Sequence, residues 1–301
     1  MTSTQVAPIL RFNSNFRAKG AFSWPSLSSS PPSDVPRTIN VNQLIPMNRN
    51  EEVELLEKIE SFLDDSLILE VLRPVHGGKE ASIFLCRAAP STRRQHLAVK
   101  VYRSMARRVF RNDGLYQQGR VILNQRTKRA YENRTDFGKE VQYARWVNAE
   151  YETQRTLYES GADVPRPWAC NGNAIVMDWV GDDATGAPAI QLRHAQPARD
   201  DAERLCDVLL SNVELMLRLN VIHGDLSPFN VLYESGSRDL PSRVTLIDFP
   251  QAVDPRANRH ACELLFRDVG NVCEFFAKFG VHRDGSRIAS KLWEKFVYAR
   301  L

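Results

Sequence analysis

His223-x-Asp225-x4-Asn230 is followed, after two short apolar runs at Val231–Tyr233 and Val244–Ile247, by Asp248. An acid, an amide and a second acid at this spacing suit phosphoryl transfer. Asp225 would position or deprotonate an attacking hydroxyl or water, and Asn230 and Asp248 would offer hard oxygen ligands to a divalent ion. Mg2+ needs only one or two such ligands, because phosphates and water complete its shell. Taken singly, an Asp or Asn at a strand end is a turn former. Three together, each beside an apolar run, favour the chemical reading. The connector Glu234–Arg243 is rich in Ser, Gly and Pro, so the two runs are predicted to pair as a hairpin of strands. His223 is expected to brace the loop by hydrogen bonding.

Other elements must bring a nucleotide to these groups. Leu67–Leu72, Ser82–Arg87 and Leu97–Tyr102 are predicted strands. Between the first two lies Val75-His76-Gly77-Gly78-Lys79-Glu80-Ala81-Ser82. Glycines in such a turn let backbone N–H groups approach phosphate, although adjacent glycines are also common in plain hairpins. Lys100 stands inside the apolar run Leu97-Ala98-Val99-Lys100-Val101, where an amine is costly unless paired or functional. The pattern suits a Lys that binds nucleotide phosphates and pairs with a helical Glu. The predicted helix from Gly138 to about Ser160, stopped by Gly161, offers Glu150 and Glu152 as partners.

With 301 residues, 43% hydrophobic and 25% charged, the chain can bury a sizeable core. A net charge of +4 does not mark a nucleic-acid binder. Five scattered cysteines without a Cys-x-x-Cys pair suggest reduced thiols and a cytoplasmic protein. No apolar run approaches the roughly 18 residues that span a bilayer, so no membrane partner is expected.

Residues 1–50 are rich in Ser, Pro and Asn and are expected to be a disordered tail. The absence of acidic residues before Asp34, with Arg11, Arg17 and Lys19 present, also fits a transit peptide. Asn50 is expected to cap a helix with Glu51 and Glu52 in its first turn and Val53, Leu56, Ile59 and Phe62–Leu63 on one face. Arg103–Lys139 is strongly basic, with Arg107, Arg108 and Arg111 near its start and Phe110, Tyr116 and Tyr131 interleaved. It suits either a loop that touches RNA or a phosphorylated partner, or a solvated insertion. Val164-Pro165-Arg166-Pro167 is an extended linker, Ala174–Met177 a buried strand, and Asp178–Gly181 a hinge. Helices are predicted over Asp200–Leu219, Arg259–Phe279 and Ile288–Val297.

From about Leu67 to Leu301 the sequence resembles the RIO family of atypical protein kinases. Gly78-Lys79-Glu80-Ala81-Ser82 is similar to its nucleotide loop and Lys100 stands in the matching strand. Trp146 and Glu150, ahead of Gly161 and Pro165-Arg166-Pro167, resemble its paired helix Glu segment. Met177-Asp178-Trp179-Val180-Gly181 is similar to its hinge. Asp225-Leu226-Ser227-x-x-Asn230 and Ile247-Asp248-Phe249-Pro250-Gln251 are similar to its catalytic and metal motifs, and Arg267-Asp268-Val269-x-Asn271-Val272-x-x-Phe275-Phe276 to its C-terminal helix.

The resemblance implies an α+β, two-lobed protein kinase-like fold: a small β-rich N-lobe with its leading helix over residues 51–180, including a flexible loop at about 103–139, and a mostly helical C-lobe over 181–301. It implies no long activation segment, in agreement with Asp248-Phe249-Pro250, so how a protein substrate docks is left open. It implies ATP with Mg2+, or Mn2+ in its place, and serine/threonine kinase or ATPase activity on an unidentified protein substrate. Lys100 and Glu150 would serve the α- and β-phosphates; the backbone of Gly77, Gly78 and Lys79 with the Ser82 hydroxyl would cover them. Met177, Trp179 and Val180 would line the base site. Asp225 would be catalytic, and Asn230 and Asp248 metal ligands, with Asp248 also a candidate transient phosphate acceptor. Family members act in maturation of the small ribosomal subunit, which would give the basic segment an RNA or ribosomal contact. The sequence shows neither the winged-helix pattern that precedes the kinase region in one subfamily nor a long C-terminal tail. Two rivals stand beside this reading. One is a small-molecule phosphotransferase like the aminoglycoside and choline kinases, which share the His-Gly-Asp loop and Ile-Asp-Phe strand. The other is a nucleotide-gated assembly factor that binds RNA or protein.

Overall fold

The computed structural model describes residues 49–78, 80–103, 136–237 and 240–299. The expected tail up to residue 48, Lys79 and nearly all of the basic segment lie outside them. Helix α1 (Arg49–Asp64) leads into strands β1 (Ile68–Gly77), β2 (Ala81–Ala88) and β3 (His96–Tyr102). Helix α2 (Asp136–Glu159), β4 (Pro167–Cys170) and β5 (Ala174–Asp178) follow, then β6 (Ile190–Gln191) and α3 (Arg199–Arg218). The hairpin of β7 (Val231–Glu234) and β8 (Arg243–Leu246) precedes α4 (Ala261–Ala277) and α5 (Gly285–Val297). This is the α+β, kinase-like fold that the resemblance implied. No helix among the described residues is long and apolar enough to cross a membrane.

The first five strands form one sheet in the order β1-β2-β3-β5-β4, with all neighbours antiparallel. Its two faces are separated by the period-2 alternation of β3. Leu97, Val99 and Val101 pack with Leu55, Ile59 and Phe62 of α1. Ala98 and Tyr102 pack with Tyr143 and Val147 of α2. Lys100 shares the parity of Ala98 and Tyr102, so it leaves the sheet on the α2 side. A second core joins α3, α4 and α5 to the β6-β7-β8 sheet. In α3 the buried Leu205, Leu209, Val213 and Met216 recur at helical spacing.

Several boundaries differ from expectation. Helix α1 already includes Arg49 and Asn50, so Asn50 lies in its first turn instead of ahead of it. Strand β1 continues past Leu72 through Pro74 to Gly77. It is an edge strand with irregular register around Pro74, where a missing N–H is tolerated. Gly77 therefore pairs with Ser82, and the turn itself begins at Gly78, whose N–H donates to the Ala81 carbonyl at 2.9 Å. The Pro-rich linker ends in an unexpected edge strand, β4, with Pro167 as its first residue. In α2 the buried stripe is Tyr143, Val147, Glu150, Gln154 and Leu157. Apolar periodicity does not register a buried Glu and Gln on such a stripe. Gln154 is accommodated by donating to the Pro165 carbonyl at 2.8 Å.

Candidate active site

Lys100 is the junction of the two parts of the fold. Its Nζ donates to Glu150 Oε1 on α2 and to Asp248 Oδ1 after β8, both at 2.6 Å. Burial alone would lower its pKa, but the adjacent Asp248 and Glu150 carboxylates outweigh it and hold the amine above its ordinary value. Lys100 therefore stays charged. Of the two helical candidates, Glu150 is the partner; Glu152 is solvent-facing and pairs with Arg155 on its own helix. Burial pushes the Glu150 carboxyl up, against the pull of Lys100. The Tyr102 hydroxyl donates to the second oxygen, Glu150 Oε2, at 2.5 Å.

The candidate catalytic loop hangs between α3 and β7. Gly224 has φ +79°, a left-handed conformation that favours Gly. His223 Nε2 meets the Ile247 carbonyl at 3.1 Å, and Asp225 N–H points at His223 Nδ1 at 3.3 Å. One nitrogen donates and the other accepts, which a neutral ring satisfies; burial lowers the His223 pKa in the same direction. Its ring lies 4.9 Å from that of buried Phe249. The expected bracing role thus has a defined geometry. Asp225 itself is exposed. Asn230 Nδ2 donates to the Asp225 carbonyl at 2.9 Å and to Asp225 Oδ2 at 3.1 Å. The Asn230 carbonyl accepts from Ile247 N–H at 3.0 Å, which ties Asn230 to the residue before Asp248. Asp248 adopts φ +72°, unusual for a non-Gly residue, and its carboxylate is 40% exposed while holding Lys100.

Helix α4 supplies a support that sequence reasoning missed. Asp268 Oδ2 accepts from Gly224 N–H at 2.8 Å and Oδ1 from Leu226 N–H at 3.0 Å. Asn271 Nδ2 donates to the Leu226 carbonyl at 2.8 Å, and Arg267 donates to the Gly224 carbonyl. The main chain on both sides of Asp225 is thereby fixed. A signal was available: Asp268 lies four residues from both Leu264 and Val272, on the apolar stripe of α4. Burial pushes its carboxyl up to about 7, against the two N–H donors. Because an unfolded Asp titrates near ~3.9, folding takes up a proton in the interval from there to about 7. Stability should fall as pH rises through this window and level off above it. Chemical unfolding of Asp268→Asn, which exchanges no proton, should show a flatter slope between about pH 4 and 7. Its kcat should drop about tenfold or more, since loss of a charged hydrogen bond frees the loop; an unchanged slope and kcat would remove Asp268 from this role.

The phosphate-loop candidates divide. Gly77 and Gly78 lie at the end of β1 and in its turn, and a Cβ at Gly78 would sit 3.3 Å from the Ala81 carbonyl. Ser82 pairs with Val101, whereas Ile83 pairs with Lys100. Cross-strand neighbours share a face, so the Ser82 side chain leaves the sheet on the α1 side. Its hydroxyl is not on the Lys100 face, contrary to expectation; only its backbone stays with the loop. Met177 and Trp179 lie on the Lys100 side, packed with Ala98 and Tyr102. Val180 accepts from Ala189 N–H at 3.1 Å through its carbonyl, and its N–H meets no acceptor among the described residues. Gly181 allows the chain to fold back here, since a Cβ would stand 2.2 Å from the Ala187 carbonyl.

The fit to a divalent ion follows from donor type. Asn230 directs its Nδ2 at Asp225, which leaves its amide oxygen facing elsewhere, and Asp248 adds a carboxylate: two hard ligands, as Mg2+ prefers. No group of three or more His, Cys, Asp or Glu residues suited to a metal occurs among the described residues. An ion here would take its remaining ligands from phosphate and water.

A family model for the RIO domain matches residues 82–288. The chain is 28% identical over 221 residues to the serine/threonine-protein kinase RIO1 of Caenorhabditis elegans, covering 73% of this chain and 40% of that protein. It is 30% identical over 150 residues to the RIO-type serine/threonine-protein kinase Rio1 of Thermoplasma acidophilum, covering 50% and 73%. It thus spans about two-fifths of the length of its nematode relative. Among solved structures, the Rio2 kinase–ADP/Mg2+–phosphoaspartate complex from Chaetomium thermophilum superposes with a TM-score of 0.56 at 21% identity, covering 80% of this chain and 69% of that one. With two-thirds of its length matched by the RIO domain and a fold shared with Rio2, this chain belongs to the RIO family of atypical protein kinases.

Proposed function

We propose that the chain is a serine/threonine protein kinase, or an ATPase built on the same site, that passes the terminal phosphate of ATP to a protein hydroxyl or to water. The observation that carries this reading is the Lys100 amine held between Glu150 and Asp248, with Asn230 bonded to Asp225. Lys100 places a fixed positive charge for the α- and β-phosphates. The Gly77–Gly78 backbone and Lys79 cover them, and Met177, Trp179 and the Val180 N–H receive the base. Asp225, exposed and held through its loop by α4, orients the acceptor and takes its proton. Asn230 and Asp248 would hold Mg2+, which offsets phosphate charge when bound. Positioning and charge neutralisation supply most of the rate in such chemistry. The solved Rio2 relative contains a phosphoaspartate; Asp248 is the candidate acceptor here, with water taking the phosphoryl group in a second step.

Five free cysteines, three of them buried, suit a reducing cytoplasm. An RNA or ribosomal contact is assigned to the basic segment on composition. The site is tested by ATP binding across a Mg2+ titration. Asn230→Ala and Asp248→Asn are each expected to weaken the Mg2+-dependent part of binding; an unchanged Mg2+ dependence in both would place the metal elsewhere.

A further inference from the structure

We infer that Tyr102 is a positioning residue for nucleotide binding: its hydroxyl fixes the carboxylate of Glu150 so that Lys100 is presented to phosphate. The inference rests on the Lys100–Glu150 reading above and extends it to a residue outside the usual acid, amide and amine set. Glu150 is fixed from both oxygens, by Lys100 Nζ at 2.6 Å and by Tyr102 at 2.5 Å. A carboxylate with one donor can swing about its final torsion; one with two donors on separate oxygens is locked. The Tyr102 ring also lies beneath the amine, with Lys100 Nζ 5.1 Å from its centroid.

Tyr102 cannot drift from this place. It is fully buried, edge-on to Trp146 at 5.2 Å and to Tyr143 at 6.5 Å. Its N–H donates to the Asn173 carbonyl at 3.0 Å, and its carbonyl accepts from Lys58 Nζ of α1 at 2.9 Å. A phenol in an otherwise apolar and aromatic pocket needs an acceptor, and Glu150 is the one it has. The residue sits two positions after Lys100, so period-2 alternation places both on one face of β3.

The test is ATP affinity with Mg2+, measured by titration together with the melting temperature, on the full chain. Tyr102→Phe keeps the ring and removes only the hydroxyl. It is expected to raise the Kd for ATP about tenfold, with the melting temperature lowered by about 5 °C and the protein still folded at the temperature of the titration. In a Glu150→Gln background the same change should add less than about twofold, since the two residues act through one contact. Unchanged ATP affinity in Tyr102→Phe overturns the inference, as does the same loss persisting in the Glu150→Gln background. Lys100→Met in the same titration separates the two readings. If it binds ATP normally the site itself is misassigned, whereas if it fails while Tyr102→Phe is normal only the role of Tyr102 falls.

Discussion

Asp225→Asn is expected to lower the rate of γ-phosphate transfer by about 10²- to 10⁴-fold while the protein stays folded and binds ATP with Mg2+. Asp225 is exposed, so its charge carries little burial cost and its replacement little stability change. Asn preserves an oxygen for the Asn230 amide, which now meets Asp225 Oδ2 at 3.1 Å. The main-chain bonds of Gly224 and Leu226 to Asp268 do not involve the Asp225 side chain at all. Only basicity toward the acceptor is lost. Steady-state turnover and ATP titration on the same sample separate the two effects. A variant with wild-type turnover would show that Asp225 handles no proton.

Lys100→Met is expected to abolish turnover and also to destabilise the fold. Lys100 is 8% exposed and its amine is shared by two carboxylates. Its removal leaves Glu150, 2% exposed, with the Tyr102 hydroxyl as its remaining side-chain donor among the described residues. Stranding a buried charge costs about 3–5 kcal/mol, unless Glu150 takes up a proton. Lys100→Met combined with Glu150→Gln should therefore recover most of the lost stability in a denaturant melt but none of the turnover. Recovery of both would make Lys100 a structural cation. Arg at this position is not an equivalent replacement, since a planar guanidinium does not fit the same point-charge geometry.

The chemistry-bearing residues were legible because each sits at a strand end or breaks an apolar run. Asp225, Asn230 and Asp248 bracket the β7–β8 hairpin, and Lys100 interrupts β3. The need of Lys100 for a partner fitted Glu150 and Glu152 alike, and only the resemblance of the Trp146–Glu150 segment to the family's paired helix Glu singled out Glu150. What escaped was decided by tertiary burial. Gln154 is a polar residue on an inward stripe, invisible to apolar periodicity until its partner is known, and Asp268 is marked only by its place on the apolar stripe of α4. Tyr102 looked like one more aromatic strand residue, and its hydroxyl gained a purpose only when α2 was placed over β3. The face of Ser82 is set by the β2–β3 register, which pairs it with Val101 and which no local pattern in the sequence announces. Short edge strands such as β4, which begins at a Pro, carry too little pattern to be read from sequence.

The fate of the terminal phosphate itself tests the central claim most directly. The folded chain is incubated with γ-labelled ATP and Mg2+, and the label is followed to protein serine or threonine, to aspartate and to free phosphate. The account predicts Mg2+-dependent loss of label from ATP to protein or water in the wild type, and almost none in Asp225→Asn. Label that remains on ATP while nucleotide is bound, or transfer that Asp225→Asn leaves intact, would contradict it.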